Sequence, residues 1–175
     1  MQLFLDIVRD LYGIDHVRHE DITSYNLEDC LDLEAEVIET AIRCIIQGDY
    51  EHALHPLPGS RRVLERMARS VPRLLFVTAR PNREIIEGWL RDMLSLPDTA
   101  IEVVATGSFE AKADVLAAGG VRVFVEDRLD TCFLLAQAGL TPILYRQPWN
   151  RQSHPFKEVG GWDEIENLLN FIPGI

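Results

Sequence analysis

The chain has 175 residues, 47% of them hydrophobic and 26% charged, which is enough apolar material to bury a core in what is most simply one domain with a small insertion. Its formal net charge of −11 repels polyanions at long range, so an extended nucleic-acid surface or an anionic membrane face is excluded, while a small anion held at one local site is not. No apolar run approaches the roughly 20 residues of a bilayer span, the N-terminus lacks a leader pattern, and Cys30, Cys44 and Cys132 form no CxxC pair; the sequence reads as that of a cytoplasmic protein with buried structural thiols.

In chain order, Leu3, Phe4, Ile7, Val8, Leu11 and Tyr12 recur in pairs every four residues and paint one face of a helix that Gly13 stops. Residues 14–55 begin polar and turn helical from about Leu33 to Ile46, with Gly48 as the stop; they read as a small helical insertion. After Pro58-Gly59 the segment SRRVLERMARS is amphipathic, with Ser60 as its N-cap. A strand and helix rhythm then runs to the end. Strands are expected over Arg73 to Thr78, Ile101 to Ala105, Val121 to Glu126 and Pro142 to Tyr145, and helices from near Asn82, Lys112 and Leu129, with a last one over Trp162 to Phe171. Such alternation predicts an α/β fold, a Rossmann-like parallel sheet with helices on both faces and right-handed crossovers. Ligands of these sheets sit at the carboxyl ends of the strands. Thr78 and the pair Glu126-Asp127 lie at two such ends.

A threonine closing a strand offers its hydroxyl, and the next residue, Ala79, its backbone N–H, to a phosphate oxygen. Lys112 at a helix start is placed to neutralise an anion at the same edge, although a lysine there also suits plain solvent. Adjacent carboxylates closing an apolar strand put negative charge where a cation would stabilise it, and an oxygen-only site with several waters suits Mg²⁺ better than zinc. Other polar groups have simpler readings. Asp6 and Asp10 fall on the polar face of the first helix. Asp32, Glu34 and Glu36 open the second, where acidic residues favour the helix dipole. The pairs His16/His19 and His52/His55 lack a third metal ligand at a diagnostic spacing, and Trp149 and Trp162 read as packing residues.

The order of strand ending in threonine, lysine at a helix start and strand ending in acidic residues resembles the second, third and fourth motifs of the haloacid dehalogenase-like (HAD-like) phosphohydrolases. HPLPGSRRVLERMA is similar to the segment that precedes their second motif, and EDITSY and YRQPWNR are similar to elements of the deoxyribonucleotidase-like branch. The resemblance implies a HAD-like core over residues 1–13 and 56–175 and a helical cap over 14–55. It implies a small phosphorylated substrate, possible nucleotides included, with Thr78 and Ala79 on the phosphate, Lys112 balancing charge, Asp127 as direct Mg²⁺ ligand, Glu126 as a water-mediated one and Arg80 facing the site. The family's first motif, an Asp-x-Asp that supplies nucleophile and general acid, is absent. The favoured expectation is a magnesium-dependent phosphatase whose sequence here starts after that motif and which is inactive as it stands; the alternative is a non-catalytic binding or interaction protein that keeps a vestigial phosphate site.

In the family the strand bearing the first motif lies between the strand ending at Thr78 and the one ending at Glu126. Unpaired backbone groups in a buried place cost about 1–3 kcal/mol each. Three repairs compete: direct pairing of the two neighbours, conversion of Gln2 to Ile7 into a strand, or insertion of a segment from another chain. Direct pairing keeps every local preference, including the helix whose stripe is expected to cover the sheet. The expectation is therefore a four-stranded parallel sheet with those two strands adjacent and residues 2–12 helical.

Overall fold

A computed structural model describes residues 1–51 and 54–169. Contacts divide the chain into two compact units, Met1–Leu54 with Gln147–His154 and His55–Arg146 with Pro155–Ile175.

The first unit is built on α1 (Gln2–Tyr12) and α2 (Ala35–Gln47). Gly13 and Gly48 adopt the left-handed conformation that closes each helix, and their N–H groups donate to the carbonyls of Arg9 and Cys44. Leu3, Phe4, Ile7 and Val8 of α1 are buried with Val37, Ile38 and Ala41 of α2 and with Ile22, Leu27, Leu31 and Trp149. The stripe expected to cover the sheet is thus spent within this unit, and contacts group the first helix with residues 14–54. Asp6 and Asp10 lie on the polar face and pair with Arg9.

The second unit alternates strand and helix: α3 (Ser60–Met67), β1 (Leu74–Thr78), α4 (Arg83–Met93), β2 (Ile101–Ala105), α5 (Ala111–Ala118), β3 (Val123–Glu126), α6 (Leu129–Gln137), β4 (Thr141–Tyr145), β5 (Lys157–Val159) and α7 (Trp162–Leu169). The last helix was expected to reach Phe171, which lies outside the described residues. Two boundary details differ. Gly59, at φ +80°, takes the cap position of α3, and a Cβ there would sit 3.4 Å from Cβ of Trp162. Ser60 is instead the first helical residue, and its hydroxyl donates to the Leu57 carbonyl at 2.7 Å.

All strand pairs are parallel, as the alternation predicts, but the expected adjacency of β1 and β3 is wrong. Among the described residues β1 pairs with β2 alone, Thr78 opposite Ala105, and β3 pairs with β4, which pairs with β5. The sheet is split into two halves. Period-two packing shows that the halves share both faces. Leu74 and Phe76 of β1 pack with α3 and α4, and Val123 and Val125 of β3 pack with α3 and α7, Met67 and Trp162 touching both clusters. On the other face Leu75 and Val77 of β1 join Phe124 of β3 over Leu116 of α5 and Leu135 of α6. Direct pairing would slide the halves together by about one strand spacing, roughly 4.8 Å, and would unseat both helical layers at once. The close-packed layers win over the two strand edges.

Leu116 is fully buried beneath β1, against residues that adjoin both halves. Leu116→Ala is expected to lower unfolding free energy by about 2–5 kcal/mol, measured by urea titration; a loss below 1 kcal/mol would mean that this layer is not packed as described.

Candidate functional site

The site forms at the carboxyl ends of the strands in the second unit. The apolar run of β1 ends in Thr78 because Ala79-Arg80-Pro81 turns the chain and Asn82 starts α4, its side chain accepting the Glu84 N–H at 3.2 Å. The Thr78 hydroxyl accepts the Arg80 N–H at 3.2 Å, which leaves the hydroxyl proton to donate elsewhere. Arg80 enters the site through this backbone group. The Thr78 carbonyl accepts from the N–H and the hydroxyl of Thr106, at 2.8 and 3.0 Å, so the ends of β1 and β2 are locked together. The single Thr106 hydroxyl proton is shared between that carbonyl and the Ser108 carbonyl, 2.6 Å away, and Ser108 Oγ accepts the Ala111 N–H at 3.2 Å. This loop delivers the first turn of α5 to the strand ends.

Lys112, on that turn, is 7% exposed, and its Nζ lies 2.6 Å from Oε2 of Glu126, itself 5% exposed. The other Glu126 oxygen accepts the N–H groups of Asp127 and Arg128, each at 3.1 Å. Glu126 therefore curls back over the end of its own strand and holds the lysine. The bond also fixes direction: β1 and β2 end beside the start of α5, and β3 ends at Lys112, so β1 and β3 run the same way.

Asp127 is half-buried. Burial, followed by repulsion from the Glu126 carboxylate, pushes its pKa from 3.8 up to about 7, against a smaller opposing pull from Lys112. Cys132, fully buried one turn into α6, is pushed up to about 12 by burial first and then by Glu126 and Asp127; it is an inert thiol. Arg128 stacks over the Phe109 ring at 4.2 Å, with Lys112 Nζ 5.7 Å from the same ring. Neither Phe109 nor Arg128 was singled out from the sequence. The signal for both is position alone, after the ends of β2 and β3.

The remaining sequence candidates fall elsewhere. His19 packs edge-on against Trp149 in the first unit, centroids 5.6 Å apart. His16 and His55 are exposed, and His52 lies outside the described residues. Asp32, Glu34 and Glu36 are exposed at the start of α2. Trp149 and Trp162 pack in cores, and Cys30, Cys44 and Cys132 are free thiols.

The donor set decides what cation would suit the site. Among the described residues no three His, Cys, Asp or Glu side chains converge as a metal cage, and Glu126 is engaged through both oxygens. Asp127 is a carboxylate whose negative form the surroundings penalise, which is the condition a cation relieves. The arrangement fits a hard ion that keeps most of its waters and takes one carboxylate from the protein, as Mg²⁺ does.

The family model described as 5′ nucleotidase, deoxy (pyrimidine), cytosolic type C protein (NT5C) matches residues 1–172. The chain belongs to this HAD-like nucleotidase family. Among solved structures, a HAD-superfamily hydrolase from Ehrlichia chaffeensis is similar at a TM-score of 0.51 and 13% identity, over 98% of this chain and 87% of that one. A haloacid dehalogenase-like family hydrolase from Xanthomonas campestris is similar at 0.49 and 15% identity, over 97% and 85%. No curated protein sequence matches. The first structure supports the α/β fold with parallel strands between helices, and the family match supports the resemblance drawn from the motifs. No helix among the described residues is long and apolar enough to cross a membrane.

Two outcomes test the site. Removing one partner of the buried pair leaves a charge without its counterion, so Lys112→Met and Glu126→Gln are each expected to cost about 3–5 kcal/mol, while the double variant recovers most of it. Additivity of the two losses in urea titrations would refute the pairing. For Asp127 the sign follows from linkage. Between about pH 4 and pH 7 the folded chain keeps a proton that the unfolded chain, at 3.8, has lost, so this group makes stability fall as pH rises through that window. In EDTA, Asp127→Asn is expected to raise Tm by a few degrees at pH 8, to leave it unchanged near pH 3.5 and to flatten the slope between. An unchanged slope would refute the raised pKa.

Proposed function

We propose that the protein acts in magnesium-dependent hydrolysis of small phosphorylated compounds, nucleotides among them, in the cytoplasm. The observation that carries this reading is the cluster of Lys112, Glu126 and Asp127 at the strand ends beside Thr78, in a chain of the nucleotidase family. In this reading Thr78 donates its hydroxyl proton to a phosphate oxygen, and the backbone N–H of Ala79 donates to another. Lys112 neutralises charge at the phosphoryl group while Glu126 holds its ammonium in place. Asp127 would be the direct ligand of Mg²⁺ and Glu126 a water-mediated one, and the ion would supply charge stabilisation to a phosphoryl group. Arg128, stacked on Phe109, adds a second positive group at the edge.

The covalent step needs a nucleophile, which the family resemblance assigns to an Asp-x-Asp. Among the described residues no third acidic side chain joins Glu126 and Asp127. Residues 1–175 are therefore expected to bind phosphate without turning over. A second reading, a binding protein with a vestigial phosphate site, draws on the closed Lys112–Glu126 contact, which already neutralises the lysine.

The test is phosphorus NMR titration with inorganic phosphate and Mg²⁺, run beside p-nitrophenyl phosphate turnover. Saturable binding weakened about tenfold in Thr78→Ala, or about 1.4 kcal/mol, with turnover no faster than in that variant, is the expected result. Phosphate release that requires Mg²⁺ and disappears in Asp127→Ala would instead show catalysis by residues 1–175 themselves. Absence of saturable binding would overturn the phosphate site in both readings.

A further inference from the structure

Phe109 precedes the first turn of α5, and its contacts reach both half-sheets. Its carbonyl accepts the Lys112 N–H at 3.3 Å. The centroid of its ring lies 4.2 Å from the guanidinium carbon of Arg128 and 5.7 Å from Lys112 Nζ. Phe109 and Lys112 follow β2, whereas Arg128 follows β3, so one aromatic ring stands beside cations from the two halves. Its backbone is tied to Thr78 as well, because the Thr106 hydroxyl joins the carbonyls of Thr78 and Ser108, the residue before Phe109.

The two cations depend on that ring to different degrees. Lys112 Nζ lies 2.6 Å from Glu126 in a buried pair, a contact that outweighs a ring at more than twice the distance. The N–H of Arg128 donates to Glu126 Oε1 at 3.1 Å, which anchors its backbone but not its long side chain. The guanidinium meets Asp130 at 3.1 Å, yet that carboxylate is 75% exposed, and an exposed ion pair contributes about 0–1 kcal/mol and is screened by salt. A guanidinium stacked on a ring face is held by the ring quadrupole and by flat contact, with no room for ions between. The ring is thus the firmer hold on the Arg128 head group. A leucine at 109 would fill much of the same apolar volume without offering a ring face, so packing and positioning are separable.

We propose that Phe109 is a positioning residue, whose ring holds the Arg128 guanidinium at the strand ends for the phosphate group that Thr78, Ala79 and Lys112 receive. The proposal rests on the phosphate reading of that site and adds to it a residue that touches neither phosphate nor metal. Phe109 acts through Arg128. Because Glu126 already offsets the charge of Lys112, a held Arg128 supplies positive charge and forked N–H donors that the buried pair does not. Without the ring the guanidinium would keep only its exposed partner Asp130, and ordering it on phosphate would cost side-chain entropy that the stack has already removed.

The experiment titrates residues 1–175 with inorganic phosphate and Mg²⁺ by phosphorus NMR, in the unsubstituted chain, Phe109→Leu, Phe109→Trp, Arg128→Gln and the double variant Phe109→Leu/Arg128→Gln. Phe109→Leu and Arg128→Gln are each expected to weaken binding about fivefold, and Phe109→Trp, which keeps a ring face, to stay within about twofold of the unsubstituted chain. The double variant is expected to bind as weakly as Arg128→Gln alone. In proton NMR without phosphate, the Arg128 side-chain protons are expected to be shifted upfield by the ring current in the unsubstituted chain and in Phe109→Trp, but not in Phe109→Leu. Phe109→Leu at the unsubstituted affinity would overturn the proposal. So would two losses that multiply to about 25-fold in the double variant, which would mean that Phe109 acts other than through Arg128, or a Trp variant as weak as the Leu one, which would mean that the site needs the shape of Phe109 rather than a ring face. Absence of the upfield shift in the unsubstituted chain would overturn it as well. Should Phe109→Leu fail to fold, the Trp variant and the ring-current shift decide. An unsubstituted chain that binds no phosphate brings down the phosphate reading and this proposal together, whereas saturable binding that Phe109→Leu leaves unchanged brings down this proposal alone.

Discussion

The ion pair of Lys112 and Glu126 carries the architecture of the second unit. The lysine stands on the helix that follows β2, the glutamate at the end of β3, and the 2.6 Å contact between them is buried. It ties the carboxyl end of one half-sheet to that of the other, where no backbone ladder among the described residues does so. A buried pair of this kind contributes modestly to net stability, because desolvation offsets most of its attraction. Its value lies in register: only one placement of α5 against β3 satisfies both charges. The backbone N–H groups of Asp127 and Arg128 complete the second glutamate oxygen.

The same arrangement explains why the charged form of Asp127 is disfavoured. Its neighbour Glu126 is held through both oxygens, it is itself half-buried, and Lys112 lies at bonding distance from Glu126. Repulsion and desolvation act on Asp127 together, and the outcome is a carboxyl that titrates near neutral pH. One of two adjacent carboxylates is thus held by an ion pair, and the charged form of the other is penalised by its surroundings.

Much of this was legible in the sequence, for identifiable reasons. Paired apolar spacing and Gly13 specify α1, and the apolar runs ending at Thr78 and Glu126 specify their strands, because both signals are local and dictated by backbone geometry. The positions of Thr78 and Glu126 at strand ends followed from the α/β alternation. β5 was missed because Lys157-Glu158-Val159 offers neither an apolar run nor a period. Ser60 was misplaced by one residue because Gly59, free to take a positive φ, served as the cap. The contact of Glu126 with Lys112 was not anticipated, since a partner 14 residues away leaves no short-range pattern. The adjacency of β1 and β3 failed for a deeper reason. A strand's sequence records the faces it presents, not the edge it pairs with.

The split follows from a competition that local preference does not decide. Closing the halves would satisfy two strand edges, a gain of a few hydrogen bonds worth about 1 kcal/mol net each. It would also force α3, α4 and α7 on one face, and α5 and α6 on the other, into a narrower span. Val63, Leu116 and Leu135 are already fully buried in those layers. Compressing a close-packed layer costs about 1–3 kcal/mol for each overpacked position, and several positions on each face would be affected. The helices therefore act as spacers whose own packing sets the distance between the half-sheets.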